Sequence, residues 1–334
     1  MELALSEGDH ANNGRIAGTR LGAQRSLFDV IGFGTNVLDV VGVINGYPRP
    51  DSKTPLLHFE VQGGGVTATA LVACARLGLR ARYIGKFGTD FWARLSRRSL
   101  AREGIDVRHA LQALGSPGCV SVVLVDHASG ARTLFYRRPA AHAIRREELD
   151  RAVLTAGRLL HVDGLDADAA VEAIHWAREA GMRVTMDGER IVEGIEGVWP
   201  LVDLLVCNPR FVLAATGQAS LEEGLRTMAG RGPSRVAATL AREGAIGLES
   251  NRLIRALGFP VEVVDTNGAG DVFHGACAVG ELRNWPLEWT LTFANAVAAM
   301  KCRALGGRRG IPRLPEVIDF LSSHGRSDIA QNFT

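Results

Sequence analysis

An α/β fold, with a mostly parallel sheet and helices on both faces, is predicted by three observations. Apolar runs of strand length alternate with amphipathic runs of helix length from about Arg158 onward. Acids or amides follow several of the strand runs: Asp163, Asp187 and Asn208. Two stretches, 39–62 and 119–138, fit the alternation poorly, which predicts a smaller second sheet lying over one end of the first.

The elements follow in order. "LFDVIGFGTNVLDVVGVI" is β-branched and bounded by glycines, as strands near a sheet centre are, and Asp39 is expected to end the first strand. "VTATALVACARLG" (Val66 to Gly78) reads as a helix of small and apolar residues closed by a glycine. "ARYIGKFG" reads as a strand and "DFWARLSRRSLAREG" as an amphipathic helix. "CVSVVLVDHASGARTLFYRR" holds two alternating runs around a turn at His127–Gly130, the pattern of a β-hairpin. "RLLHVDG", "MRVTMDG", "DLLVCNP" and "RVAATLA" read as further strands, and "ADAAVEAIHWAREAG" as the helix between the first two. "VEVV" (Val261–Val264) reads as a last strand and "AGDVFHGACAVGEL" as the helix after it.

The 334 residues are 46% hydrophobic, enough for one large core. A formal net charge of +2 gives no field for nucleic acid or an anionic membrane. Cys74, Cys119, Cys207, Cys277 and Cys302 form no CxxC pair, so we expect no disulfide framework, no zinc site and a cytoplasmic location. Residues 1–26 are polar and are expected to be a disordered tail, 27–324 a single domain, and 325–334 a C-terminal tail.

The chemistry concentrates in "VVDTNGAGDVFHGA". The turn Gly268-Ala269-Gly270 has almost no side chains, so backbone N–H groups at a helix start can approach an anion. Asp271 follows directly. An aspartate in a first helical turn can cap the helix; it can also be a base facing an anion site, as phosphoryl transfer to a hydroxyl requires. The residues alone leave both open. Rival motifs fail. "GFGTNV" puts Val37 where a dinucleotide fingerprint needs glycine or alanine, and no Walker lysine loop, H-E-x-x-H or G-x-S-x-G is present.

Asp265-Thr266-Asn267-Gly268-Ala269-Gly270-Asp271 resembles the D-T-x-G-A-G-D signature of ribokinase-like (PfkB-type) carbohydrate kinases. The resemblance runs from about Phe28 to Leu321. Within the family the chain resembles ketohexokinase and sulfofructose kinase, the latter in particular at "VVDTNGAGDVFHGA", "AAMKCRALGGRRGIP" and the glycine triplet of "VQGGGVTATA". It implies a ribokinase-like three-layer α/β/α sandwich with a small β-sheet lid; separately, the exposed edge of such a small sheet is a ready partner surface, so a homodimer through the lid is expected. The implied activity is transfer of the ATP γ-phosphoryl, with Mg2+, to a hydroxyl of a small sugar: a ketose such as fructose, sulfofructose or a 2-keto-3-deoxy sugar acid. A nucleoside kinase, or a catalytically silent sugar-binding regulator on the same fold, is the alternative.

Residue by residue, the resemblance makes Asp271 the general base and Gly268, Ala269 and Gly270 the anion hole. Asp39, Gly64, Gly65, Thr69, Arg132 and Asp163 would meet the sugar. Asn208, Thr239 and Gly244 would meet the nucleotide, with Asn295 on a helix flanking the adenine. Potassium would be held by backbone oxygens near Asp265 and Asn267 and by the loop Arg303 to Gly307. Three departures bear on substrate and metal. Val66 and Thr69 stand where the family often has asparagines, and Phe211 stands where it often has a glutamate. Tyr136 and Leu165 replace an asparagine and an arginine that read sulfonate in sulfofructose kinase, although Lys53 matches a lysine there. His274 is expected to be a packed or satisfied histidine.

Overall fold

The computed structural model describes residues 27–129 and 131–333. The expected N-terminal tail, 1–26, and Gly130 of the hairpin turn lie outside the described residues.

Eight strands form the main sheet. From one edge to the other they are Arg252–Leu257, Gly244–Glu249, Arg235–Thr239, Leu204–Cys207, Arg183–Gly188, Leu159–Val162, Val30–Phe33 and Ala81–Ile84. The last six pair in parallel and the first two add an antiparallel hairpin. Both faces are covered, which is why the parallel strands read as continuous apolar runs. Val30, Leu159 and Leu204 pack against one helical layer, while Ile31, Leu160 and Leu205 pack against the other. The first layer contains the helices Val66–Arg76, Ala269–Leu282, Leu287–Lys301 and Leu314–Ser323. The second contains Ala167–Glu179, Pro209–Thr216 and Leu221–Ala229.

Strand order reverses between Val30–Phe33 and Leu159–Val162. Ligands in such sheets bind beyond the carboxyl ends of the strands at that reversal. A second sheet, His58–Gly64, Val37–Ile44, Val120–Asp126 and Arg132–Arg137 in spatial order, supplies the lid expected from 39–62 and 119–138. Register places Gln62, Asp39, Ser121 and Tyr136 in one row across it.

Three expectations are corrected. Asp39 does not end a strand of the main sheet. The chain leaves that sheet at Gly34, where Asn36 donates to the Lys86 carbonyl, and Asp39 is the third residue of a lid strand. Val261–Val264 form no strand. Pro260 lacks an N–H, and the Val264 and Asp265 N–H groups donate to the Cys302 carbonyl rather than to a sheet neighbour. The C-terminal tail expected at 325–334 is, over its described residues 325–333, packed on the domain. Residues Ser327–Ala330 form a short helix, Ile329 and Ala330 are buried, and the Phe333 ring packs 5.3 Å from that of Trp285.

Two helices carry the fold into the site. Val66–Arg76 and Ala269–Leu282 pack closely because small residues meet; a Cβ on Gly275 would lie 2.3 Å from the Ala70 carbonyl oxygen. Their N-termini, at Gly65 and Gly268, both open on one cavity.

Candidate active site

The cavity holds roughly 590 Å³ between the lid and the strand ends. That is the size of a small-molecule site. Its floor is the start of helix Ala269–Leu282. Gly268 has φ +73 and caps the helix with no side chain, and its Cβ would sit 2.8 Å from the Gly307 carbonyl oxygen. Ala269 N–H bonds the Thr266 carbonyl, while the N–H groups of Gly268, Gly270 and Asp271 find no acceptor among the described residues. A Cβ on Gly270 would meet nothing within 4 Å. The result is an open set of donors at the positive end of a helix dipole.

Asp271 does not cap the helix. Its carboxylate takes no hydrogen bond among the described residues and lines the cavity. Burial, and then the neighbouring charge of Asp187, push its carboxyl up to about 7.

At the lid end, Asp39 accepts from Ser121 Oγ, and burial raises its carboxyl above the usual range. Gly64 can have no side chain, since its Cβ would lie 2.2 Å from Asp39 Oδ2, and Gly65 has φ +93. Thr69 lines the cavity and accepts from Arg308 Nε at 3.1 Å. Arg132 reaches from the lid hairpin to the Thr266 hydroxyl, so the lid touches the chain leading into the glycine turn. Asp163 also lines the cavity, but four donors occupy it. Thr35 N–H, Thr35 Oγ and Thr67 Oγ bond Oδ2 at 2.7, 2.8 and 3.0 Å, and Leu165 N–H bonds Oδ1 at 3.2 Å. It fixes the loops after two strands rather than presenting a free carboxylate.

On the far side, Asn208 and Thr239 line the cavity at the ends of their strands. Asn208 also caps the next helix, accepting from Phe211 N–H at 2.8 Å. Gly244 and Asn295 lie outside the lining. Gly244, at φ +99, is a tight turn against Ala256, and Asn295 donates to the Ala256 and Leu257 carbonyls at 2.9 and 3.2 Å, bracing the edge strand.

His274, one turn beyond Asp271, faces the cavity with Nε2 3.2 Å from Asp187 Oδ2. Burial opposes its charge, but Asp187, and then Asp271, raise its pKa. Glu189 lines the same wall with no donor on its carboxylate among the described residues, and burial and Asp187 raise its pKa. An unbonded base beside free N–H groups, facing a second carboxylate across a cavity, can move a phosphoryl group on to a hydroxyl.

Residues 29–314 match the pfkB family carbohydrate kinases. The chain belongs to that family. This kinase is 25% identical over 296 residues to a nucleoside kinase of Methanothermobacter thermautotrophicus, covering 87% of this chain and 94% of that one. It is 24% identical over 286 residues to the ketohexokinase of Mus musculus, covering 82% and 95%. The structure of Arabidopsis thaliana ribokinase complexed with ribose and ATP superposes with a TM-score of 0.74 at 18% identity, over 88% of this chain and 98% of that one, which shows the fold. The kinase is thus a phosphotransferase with an alcohol acceptor, a sugar or a nucleoside.

Sequence reasoning missed several groups in this kinase. Asp187 was visible as a strand-end acid but had no assigned role, and His274 was set aside. Arg308 carried no signal beyond a paired arginine. It is buried and donates to the Gly64 carbonyl at 2.5 Å and to Ser99 Oγ at 3.1 Å, holding the glycine pair from behind.

Proposed function

We propose that the kinase transfers the γ-phosphoryl of Mg-ATP to a hydroxyl of a small ketose-type sugar, with Asp271 as general base. One observation supports this most: the Asp271 carboxylate is unbonded and stands beside the free N–H groups of Gly268 and Gly270. In this reading Asp39, with Gly64 and Gly65 closed against it, orients the sugar. Asp271 takes the proton from the attacking hydroxyl while the glycine turn accepts the charge of the moving phosphoryl. Asn208 and Thr239 receive the nucleotide end.

A magnesium ion would be held mainly by ATP oxygens, since no cluster of three metal-ligating side chains occurs among the described residues. Glu189, and Asp187 behind it, fit the remaining shell, because their mutual repulsion favours a nearby cation. The ion's contribution is to neutralise the phosphates as charge shifts to the leaving oxygen.

Among the sugars, the lining favours an acidic one. Arg132, Arg137 and Arg190 line the cavity and form no ion pair among the described residues. A carboxylated ketose-type sugar would satisfy them. Purified protein is to be screened for ADP release with Mg-ATP against neutral ketoses, keto sugar acids, a sulfonated ketose and nucleosides. Turnover of an acidic ketose above fructose supports the reading, and preference for a nucleoside overturns it.

We also place a homodimer contact on the outer lid face, where Phe59, Val122 and Phe135 are exposed together. Light scattering showing a monomer would remove it.

A further inference from the structure

Beneath the glycine turn lies a buried cation. Lys301, the last residue of helix Leu287–Lys301, is 0% exposed. Its Nζ donates to the main-chain oxygen of Asp265 at 2.9 Å, the one partner it finds among the described residues. The Asp265 carboxylate is also enclosed. Oδ1 accepts from Asn267 N–H at 2.8 Å and Oδ2 from Gly306 N–H at 2.7 Å. The ammonium therefore sits where the chain entering the turn meets the loop that follows its own helix. Gly268 comes three residues after Asp265, against Gly307 of that loop.

These are the groups from which the family resemblance implied a potassium site, and they do not fit one. The Asp265 carbonyl already accepts an ammonium, which brings a full positive charge to the place a metal ion would take, and both Asp265 carboxylate oxygens already accept N–H groups. A buried ammonium costs several kcal/mol to desolvate, and an apolar side chain of like volume would pack there without that cost. Burial lowers the Lys301 pKa, and Asp265, and then Asp271, act against that by favouring the charged form.

We propose that Lys301 is a built-in cation for the phosphoryl-binding turn, so that the kinase needs no monovalent metal ion. Lys301 is a positioning residue: it fixes the Asp265 peptide that leads into Gly268 and adds positive field below the anion. The proposal rests on reading the Gly268–Gly270 turn as the phosphoryl site.

The test begins with the unmodified protein. Turnover of its best substrate with Mg-ATP is measured at constant ionic strength in tetramethylammonium, sodium, potassium and ammonium chlorides. We expect the same kcat in all four; activation several-fold by potassium or ammonium overturns the proposal. Lys301→Ala and Lys301→Met follow. Each is expected to lose on the order of tenfold in kcat with little change in the sugar KM. In Lys301→Ala, where space is left, added potassium or ammonium restores part of the loss and tetramethylammonium does not. A folded variant that melts and turns over like the parent, with no response to cations, overturns the proposal. If neither variant folds, the cation series on the parent decides. Asp271→Asn runs alongside: full activity in that variant would sink the catalytic reading, whereas potassium activation of the parent with Asp271→Asn inactive would sink this inference alone.

Discussion

The floor of the site and its lid are built on opposite principles. The floor is overdetermined. Gly268 is wedged against Gly307, Asp265 is bonded by two N–H groups, and Lys301 lies fully buried below. The groups that would do chemistry, the Gly268, Gly270 and Asp271 N–H groups and the Asp271 carboxylate, are left without partners among the described residues. The lid is underdetermined. Arg132, Leu134 and Tyr136 line the cavity from an exposed strand, and Arg137 at its end makes no ion pair among the described residues. Rigid donors suit a phosphoryl group that is the same for every substrate. Adaptable, exposed side chains suit the part of the substrate that differs between relatives.

Breaking the floor is expected to have the largest effect. Asp271→Asn removes the base and lowers kcat on the order of a thousandfold, with ATP still raising the melting temperature. Gly268→Ala forces a Cβ against Gly307 at a residue with φ +73, and is expected to lower kcat about a hundredfold by misplacing the turn. Asp163→Asn sharpens the contrast between two acids of one cavity. It leaves Thr35 and Thr67 donors poorly matched and costs about 1–3 kcal/mol of stability, read by denaturant unfolding, with a small change in kcat.

A fourth outcome follows from the sign of the Asp271 shift. Its carboxyl is held at about 7 in the fold against 3.8 ordinarily, so the folded state binds the extra proton between those values. Stability contributed by this group is present at low pH and is lost as pH rises through 7. Asp271→Asn should therefore melt a few degrees above the parent at pH 8, with the difference fading toward pH 4. The smallest effect belongs to the lid. Arg137→Ala is expected to raise the KM for an acidic sugar about two- to fivefold and to leave kcat and neutral sugars unchanged.

The same contrast explains what could be read from the sequence. The strands Leu159–Val162, Arg183–Gly188 and Leu204–Cys207 were legible because burial on both faces makes them uniformly apolar. The glycine turn was legible because its residue types are required locally. Asp39 was placed on the wrong sheet because nothing in "GTNVLD" announces that the chain changes sheets at Gly34. Asn295 looked like a nucleotide contact by position on its helix; its two bonds to the edge strand exist only in three dimensions. Lys301 could not be read at all, since a helix-ending lysine usually points to solvent, and only packing reveals the Asp265 carbonyl above it.

The most direct measurement is the pH dependence of kcat/KM for the sugar at saturating Mg-ATP. An acidic limb with an apparent pKa near 7, shared with His274 and Glu189 beside Asp271, is the predicted result. A rate that stays flat from well above that value down to the ordinary carboxylate range would contradict Asp271 as the base.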